Sequence, residues 1–233
     1  QELIPDSKAV RINLPGIQKP AAVDSFDPAA DILVGKPSEY IVVDGELYTE
    51  IDFARVMCVV KVNLKAGTDC PAGLEVNKLT FSAPAGTVLT GRAIMSLEGL
   101  SGSDNPLGSW SVRNNSVIAL YDTGFRPAVG AASNTVYLIV NPTTIAAGGR
   151  ISFELDTDDY TVTKNIDLSK DLVFKQGASA TIGLTIDASN CVRKEEETRL
   201  LVESFNGAPA SGAQQMTPAQ TGVAGTGVSE ALT

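Results

Sequence analysis

The chain of 233 residues carries 18 Lys and Arg against 27 Asp and Glu, so its formal net charge is −9, and it contains no histidine. Histidine is the usual proton carrier near neutral pH and the commonest metal ligand, so its absence excludes Ser–His–Asp and Cys–His hydrolysis and histidine-ligated zinc. The acidic balance argues against broad contact with a nucleic-acid backbone. With 43% hydrophobic residues, 21 Gly and 12 Pro, the chain can bury a sizeable core between many turns.

Apolar and polar residues alternate with a period of two through much of the chain, and this pattern predicts β-strands. Over residues 53–64 one face is wholly apolar and the other is mixed, which predicts one long strand with a single face on the core. Because turn residues separate the strands and no long amphipathic helix is evident, we predict an all-β antiparallel sandwich. In chain order, the predicted strands cover residues 9–14, 40–43, 53–64, 76–82, 90–96, 116–121, 135–141, 151–156, 160–166, 171–174 and 181–187.

Two segments interrupt this pattern. Residues 15–36 predict a long loop between the first strand and the rest, and a connection of this length is either functional or mobile. A charged run begins at Arg193, and residues 206–233 have too little apolar content to fold alone. We therefore predict one sandwich domain over residues 1–192. At 193–233 we predict a charged linker with a low-complexity tail, or the start of a further domain.

The sequence contains no motif for catalysis or cofactor binding: it has no Walker-type phosphate loop, no GxSxG elbow and no CxxC pair. The run Asp156-Thr157-Asp158-Asp159 offers oxygen ligands for calcium, but it lacks the twelve-residue calcium loop, so a polar turn is favoured. We therefore predict no enzyme activity, no catalytic residue, no metal ligand and no cofactor. No apolar run is long enough to span a bilayer. No leader is recognisable, which leaves open a cytosolic protein or an exported one whose leader was removed.

Three cysteines and one tryptophan are the remaining side chains of interest. Cys58 lies within an apolar alternating run, so we predict a buried free thiol. Cys70 lies in a turn and Cys191 follows a strand-like run. A Cys70–Cys191 bridge is an open alternative in an oxidising compartment, but the sequence does not place the two residues together. For Trp110, core or hairpin packing is favoured, and contact with a sugar ligand is the alternative.

Several segments of the chain resemble, in order, the motifs of one protein family. The opening core strand of that family resembles the run Phe53-Ala54-Arg55-Val56-Met57-Cys58-Val59-Val60-Lys61-Val62. Before and after it lie Asp31-Ile32-Leu33-Val34 and Leu97-Glu98-Gly99-Leu100, the latter leading to a polar loop. A family strand that ends in Asn/Ala-Pro is similar to residues 135–142, and the closing hairpin is similar to residues 158–164 and 172–177. On these motifs the chain resembles the Bacteroidetes fimbrillin family, the type V pilin-like proteins, and the resemblance covers about residues 8 to 188.

The resemblance implies a transthyretin-like Greek-key sandwich at the cell surface or outer membrane, exported and often lipidated as a precursor. It implies a non-enzymatic structural or adhesive subunit that polymerises by strand exchange: a protease removes the first strand, and a partner's strand fills the groove by β-augmentation. The implied partners are other pilin-like subunits or surface proteins, and host or glycan ligands. Nucleic acid is not among them, and membrane contact would occur only through a lipid anchor absent from this chain.

Carried onto this chain, the family pattern predicts a candidate exchanged strand and a cleavage site in the loop after it. Lys19 is the best basic candidate for cleavage, and Arg55 is weaker because it lies inside a predicted strand. The exchanged strand would consist of Ala9, Val10, Arg11, Ile12, Asn13 and Leu14. That these residues form an ordinary permanent strand is equally open.

A shaft pilin of this family has two such sandwiches, whereas one is recognisable here, which favours a tip or accessory subunit. A cell-surface lipoprotein with a second domain after Thr233 is the other interpretation of this difference. The rival function is a glycan-binding surface lipoprotein of a polysaccharide-uptake system, with Trp110 as the candidate ligand contact.

Overall fold

The computed structural model describes residues 2–3, 9–37, 41–96, 107–130 and 132–194, and the side chains of all of these except residues 2, 3, 36 and 37. Contacts divide the chain after Arg193 into two units, and the strands of the described residues all belong to the first unit. The family motif at residues 97–100 and the predicted tail from residue 195 onward lie outside the described residues. The predicted domain boundary at residue 192 stays a prediction.

Twenty strands and two short 3₁₀ turns make up the regular structure of the described residues, which contain no α-helix. Most strands alternate apolar and polar side chains, a pattern that suits a half-buried sheet. The strands are β1 (Glu2–Leu3), β2 (Ala9–Leu14), β3 (Ile17–Gln18), β4 (Leu33–Pro37), β5 (Ile41–Val43), β6 (Glu46–Tyr48), β7 (Ile51–Arg55), β8 (Cys58–Ala66), β9 (Val76–Ser82), β10 (Thr90–Ser96), β11 (Leu107–Asn114), β12 (Ser116–Phe125), β13 (Ala128–Val129), β14 (Asn134–Val140), β15 (Thr143–Ile145), β16 (Arg150–Asp156), β17 (Tyr160–Asp167), β18 (Leu172–Phe174), β19 (Ser179–Ile186) and β20 (Cys191–Arg193). The 3₁₀ turns are Pro28–Ala30 and Ala188–Asn190.

Two sheets enclose the larger core. In one of them β8 is antiparallel to β14 and parallel to β19. β8 also pairs with β13, in parallel and over two residues. The other sheet has the order β20-β17-β16-β9-β12-β3, and its pairs are antiparallel except β3 with β12. Most strand pairs are therefore antiparallel, as predicted. The parallel β8–β19 pair is not evident from the alternation pattern, because alternation is the same in both kinds of sheet.

Side chains from these two sheets form a continuous apolar core. Val60, Val62 and Leu138 contribute from β8 and β14, while Phe81 and Phe153 contribute from β9 and β16. All five are fully buried, and the two phenylalanine rings stack with centroids 5.1 Å apart. The packing of sheet on sheet confirms the predicted all-β sandwich class. The transthyretin-like Greek-key topology stays a prediction.

A second apolar cluster lies on the opposite face of the β8–β14 pair. Val59 and Ile139 are cross-strand partners, and their side chains point away from the larger core because neighbouring residues of a strand face opposite sides. They pack with apolar side chains of β2, β10 and β11, which belong to the sheet of order β1-β2-β10-β11. The β8–β14 pair is therefore covered on both faces at this point.

The predicted single strand over residues 53–64 is wrong. β7 ends at Arg55, Val56 and Met57 interrupt the ladder, and β8 follows. The Val56 N–H still donates to Ile32 O at 3.0 Å, in register with the β4–β7 pair. The chain bends here from an exposed ribbon into the buried sheet. Every residue from Val56 to Val60 is buried as a result, so the alternation of burial is lost.

The predicted plain loop over residues 15–36 is also wrong. The segment contains β3, the 3₁₀ turn Pro28–Ala30 and most of β4. Long-range hydrogen bonds hold it in place: the Asp24 N–H donates to Thr135 O at 3.0 Å, and the Thr135 N–H donates to Asp24 Oδ1 at 2.7 Å. A pattern of neighbouring residues cannot report such contacts, because they join positions far apart in the chain.

Three predicted strands are confirmed with their predicted bounds, as β2, β9 and β10. Apart from the one over residues 53–64, the other predicted strands are present with ends displaced by one to four residues, although Tyr40 lies outside the described residues. The alternation pattern did not predict eight further strands of the described residues, namely β1, β3, β4, β6, β11, β13, β15 and β20.

Candidate functional site

All six residues of the candidate exchanged strand lie in β2. The strand pairs antiparallel with β10 along its whole length, and on its other side it pairs with β1 over two residues. Arg11 and Asn13 face outward and are exposed. The side chains that face inward are buried in the second cluster, and they are Val10, Ile12 and Leu14.

The groove that β2 fills is apolar. It is formed by Val56 and Met57 at the bend, by Ile139 of β14, and by Ala93 and Met95 of β10, all of them buried. A strand with apolar side chains at every second position matches such a groove, whereas a charged side chain there would be desolvated without a partner. The groove therefore selects the side-chain pattern that β2 carries.

Four residues after the end of β2, Gln18 of β3 anchors the chain to β14. Its fully buried side-chain amide donates to Ile139 O at 2.7 Å and accepts from the Ile139 N–H at 2.9 Å, as a neighbouring strand would. The side chain thereby satisfies two backbone groups that would otherwise be buried without a partner. Sequence reasoning missed this residue, and no local signal marks it, because its partner is 121 residues away.

Lys19 follows this anchor, and its side chain is exposed. Its backbone N–H, however, donates to Asp27 Oδ2 at 2.8 Å, and the next residue, Pro20, is buried. Proteolysis of a folded chain requires local opening around the scissile bond. A protease can therefore reach the Lys19 side chain directly, but cleavage after it requires the surrounding backbone to open.

Arg55, the second candidate for cleavage, lies at the end of β7 and forms a bidentate ion pair with Asp31. The Nε–Oδ1 distance is 2.7 Å and the Nη2–Oδ2 distance is 2.8 Å, and the guanidinium lies 5.9 Å from the centroid of the Phe26 ring. The hydrogen bond to Asp31 raises the pKa of Arg55 against the lowering effect of burial. A guanidinium held by two charge-assisted hydrogen bonds must leave Asp31 before it can enter a protease pocket.

Arg55 and Phe26 also line a shallow groove of about 290 Å³. Lys61 and Tyr137 are among its other lining residues. The volume lies at the lower end of the range for small-molecule sites. The groove combines aromatic and cationic side chains, and sequence reasoning singled out only Arg55 among them.

Trp110 lies on β11 at the edge of its sheet, opposite Ala93 of β10. Its side chain is half-buried and packs against the second cluster, the cluster that β2 fills. The structure thus brings Trp110 and the candidate exchanged strand together in one apolar assembly. Only part of the indole ring remains accessible to a ligand.

Residues 33–37 and 41–55 form an exposed arm that sequence reasoning missed. Within it β4 pairs with β7 and β5 pairs with β6, and the tip is the turn Asp44-Gly45, where both residues have positive φ. An Asp-Gly pair between apolar runs is the sequence signal of this tight hairpin turn, and it could have been found. Contiguous exposed apolar side chains are typical of contact surfaces. In the arm they are Leu33, Ile41, Val42, Val43, Leu47, Tyr48, Ile51 and Phe53.

The described residues contain no group of three Cys, Asp or Glu side chains that could hold a metal ion. The acidic run at residues 156–159 forms the turn between β16 and β17, where the Tyr160 N–H donates to Thr157 Oγ1 at 2.9 Å. Among the helices of the described ranges, none is long and apolar enough to cross a bilayer. The arrangement offers exposed strand edges and apolar surfaces, and these suit backbone pairing and side-chain contact with another chain.

Comparison with known proteins finds similar solved structures but no matching family. No family model matches the chain, and no curated protein matches it. A candidate cell adhesion protein from Bacteroides ovatus matches with 14% identity and a TM-score of 0.48, over 82% of this chain and 61% of that chain. Another from Bacteroides uniformis matches with 13% identity and a TM-score of 0.45, over 83% of this chain and 66% of that chain. This chain thus spans less than two thirds of the length of either structure, and its membership of the fimbrillin family stays a prediction.

Proposed function

We propose that this chain is a non-enzymatic structural or adhesive subunit of the cell surface, a tip or accessory pilin-like protein that assembles by exchange of β2. The observation that carries the proposal is β2 itself, which fills an apolar groove and pairs with β10 along its whole length. Cell adhesion is also the role in the names of the similar Bacteroides structures. For this chain itself, the support for the proposal comes from the geometry of β2.

Removal of β2 would uncover the two features that a partner strand needs. Backbone N–H and C=O groups of β10 would lose their hydrogen-bond partners, and the groove formed by Met57, Ala93, Met95 and Ile139 would open to water. A strand from a second subunit with apolar residues at every second position would restore both. Its register would be well defined, because a slip by one residue would turn its apolar side chains outward.

The two basic candidates lead to different products. Cleavage after Lys19 would release β1, β2 and β3, and the remaining chain would begin at Pro20. Cleavage after Arg55 would in addition remove the whole arm. We propose Lys19 as the site, because the rest of the segment would then stay attached through the paired hydrogen bonds between Asp24 and Thr135.

Because Pro20 follows Lys19, trypsin-like proteases would cut this bond poorly, so limited proteolysis of the full chain with a Lys-specific protease that accepts proline after lysine tests the proposal. We expect an early cut, a product whose N-terminal sequence begins at Pro20, and oligomers of that product in size-exclusion chromatography with light scattering. Lys19→Gln should abolish the cut and the oligomers. The matched control Lys170→Gln, which changes an exposed lysine between β17 and β18, should alter neither. A segment that resists cleavage, or a cleaved chain that stays monomeric, would overturn strand exchange.

A synthetic peptide with the sequence of residues 9–14 gives a second test of the same groove. Added in excess during cleavage, it should occupy the vacated groove and suppress the oligomers. The same peptide with Ile12→Asp should not suppress them, because its carboxylate would be buried without a partner. Equal suppression by both peptides would contradict a groove that selects alternating apolar side chains.

The rival function is a glycan-binding surface lipoprotein of a polysaccharide-uptake system. Exposed aromatic rings favour it, namely Tyr48 and Phe53 on the arm, with the half-buried Trp110 as a further contact. A glycan array with wild type, Trp110→Ala and Tyr48→Ala separates the two functions. Specific binding by the wild type that either variant loses would favour glycan recognition over strand exchange.

A further inference from the structure

Two cysteines far apart in the sequence meet beside the larger core. Cys70 lies in the turn after β8, and Cys191 is the first residue of β20. Both side chains are partly buried and pack against the larger cluster. The Cys191 thiol donates to Asp187 O over 3.6 Å, and the Cys70 and Cys191 thiols lie close enough for each to shift the pKa of the other. The two side chains are therefore neighbours in the folded chain, in which both are free thiols.

The parallel pairing of β8 with β19 brings the two cysteines together. These strands run in register up to Ala66 opposite Ile186, so both leave the sheet at the same end. The Gly67 N–H then donates to Ile186 O at 2.7 Å. A Cβ at Gly67 would lie 3.2 Å from that same oxygen, so glycine permits the close approach. From this point one chain turns to Cys70 and the other passes through the 3₁₀ turn to Cys191.

We propose that Cys70 and Cys191 form a disulfide bond that ties β20 to the turn after β8. The bond goes beyond the proposed function, since it depends on this corner of the fold and not on exchange of β2. The third cysteine, Cys58, is fully buried on β8 and stays a free thiol. Because no third Cys, Asp or Glu among the described residues joins the pair in a metal-binding group, a cross-link is the chemistry that the two sulfurs support.

The reaction requires an oxidant of the disulfide class, R–S–S–R, such as oxidised glutathione or a disulfide oxidoreductase. One cysteine loses its proton to water, its thiolate attacks a sulfur of the oxidant, and R–S⁻ leaves to give a mixed disulfide. The other cysteine then loses its proton, attacks the protein sulfur of the mixed disulfide, and releases the second R–S⁻. The protein loses two hydrogen atoms, and the oxidant is reduced to two molecules of R–SH.

The surroundings of the pair favour a structural bond over a reactive thiol. Burial raises the pKa of Cys70 to about 11, and Cys191, Asp69 and Asp187 add to the rise. Burial also raises the pKa of Cys191, although the hydrogen bond from Cys70 opposes this. Lys164 Nζ lies 3.4 Å from Asp187 Oδ2 and offsets part of the negative charge nearby. Thiols with raised pKa values are poor nucleophiles near neutral pH, so a catalytic or metal-exchanging role is disfavoured.

The bond would secure a short edge strand. β20 pairs with β17 over three residues, with residues 160–162 opposite residues 191–193. A covalent link from the first residue of β20 to the turn after β8 closes a ring that contains every strand from β9 to β19. A long ring restricts the unfolded chain more than a short one, so the stabilisation should be substantial.

Oxidation of the folded chain tests the inference. The reduced full-length chain is incubated without denaturant in a buffer of oxidised and reduced glutathione. We expect the intact mass to fall by two hydrogen atoms, and one of the three cysteines to react with an alkylating reagent after denaturation. A non-reducing peptide map should join the peptides of Cys70 and Cys191. The melting temperature of the oxidised chain should exceed that of the reduced chain by on the order of 5–10 °C.

Cysteine variants supply the controls. Cys58→Ala should still form the bond, whereas in Cys70→Ser and Cys191→Ser the melting temperature should be the same with and without reductant. Three free thiols at equilibrium in the oxidising buffer, a bond that includes Cys58, or a bond between two chains would overturn the inference. None of these readouts involves cleavage or strand exchange, so failure here is distinguishable from failure of the proposed function.

Discussion

β7 and β8 follow each other in the sequence and are both rich in apolar residues, yet they differ completely in burial. Phe53 of β7 is 67% exposed, whereas Val60 and Val62 of β8 have no exposed surface. β7 pairs with β4 within the arm, whereas β8 pairs with β14 and β19 and has an apolar cluster on each face. Apolar side chains in an extended segment thus predict a strand, but its sheet partners decide whether that strand is buried.

The comparison implies that stability resides in the sandwich and that the arm contributes little to it. A tightly packed interior is sensitive to the loss of even small groups, whereas exposed positions tolerate substitution. The same substitution should therefore have very different effects in the two regions.

Phe153→Ala should have the largest effect. Its ring has no exposed surface and stacks on Phe81, so the substitution leaves a cavity and should lower the free energy of unfolding by about 3–5 kcal/mol. The matched variant Phe53→Ala on the arm should change it by less than about 0.5 kcal/mol. Urea denaturation followed by circular dichroism measures both. Similar losses in the two variants would mean that the arm is packed as tightly as the core.

Ile12→Ala should have the next largest effect, because Ile12 is only 2% exposed in the groove that holds β2. We expect a loss of about 2–4 kcal/mol in the free energy of unfolding. Hydrogen exchange of the backbone amides of β10 should become faster, because β2 would detach from β10 more often. The control Asn13→Ala changes an exposed neighbour on the same strand and should alter neither quantity. Unchanged exchange in Ile12→Ala would show that this side chain does not hold β2 in place.

Alkaline pH should weaken the buried β8 region of the reduced chain. Burial raises the pKa of Cys58 from 9.0 to about 11, so the folded chain keeps this proton while the unfolded chain releases it. Because the folded state then binds more protons, stability is full below about pH 9 and falls by about 2–3 kcal/mol toward pH 11. Urea titrations at several pH values under reducing conditions measure the loss, and Cys58→Ala should make it smaller. A pH dependence that is the same in wild type and variant would exclude Cys58 as its source.

Asp31→Ala should have the smallest effect of the four, at the base of the arm. The Arg55–Asp31 side chains are 34% and 9% exposed, whereas those of the second bidentate pair, Arg150–Asp167, are 63% and 69% exposed. We expect a loss of about 1 kcal/mol in the free energy of unfolding for Asp31→Ala and no measurable change for Asp167→Ala. Cleavage after Arg55 by an Arg-specific protease should become several-fold faster in Asp31→Ala. Equal stability of the two variants would show that partial burial does not strengthen the pair.

Much of the strand pattern was predictable from the sequence. β2, β9 and β10 were predicted with their bounds because each has one buried face, which produces a regular alternation of side chains. The bend at Val56 and Met57 was not predicted, because both faces of the chain are buried there and apolar residues follow one another without a break. The segment over residues 15–36 was mistaken for a loop because hydrogen bonds to distant residues, and not apolar alternation, hold it in place.

The candidate site was predictable only in its local parts. The apolar face of β2 and the burial of Cys58 follow from their own neighbours in the sequence, and the structure shows both. The Gln18 anchor, the Arg55–Asp31 pair and the Cys70–Cys191 contact each join separate elements. No single segment contains the information for such contacts.

The sequence by itself determined that this protein is built of strands and turns and that it lacks histidine chemistry, because these properties depend on residue type and on the order of neighbouring residues. Only the tertiary structure decided that β8 is buried and β7 exposed, and that β19 runs parallel to β8 so that Cys70 meets Cys191. The physical reason is that burial and sheet pairing depend on which distant segments pack together. Which segments pack together depends on the free energy of the whole fold, and each local pattern contributes only a part of that free energy.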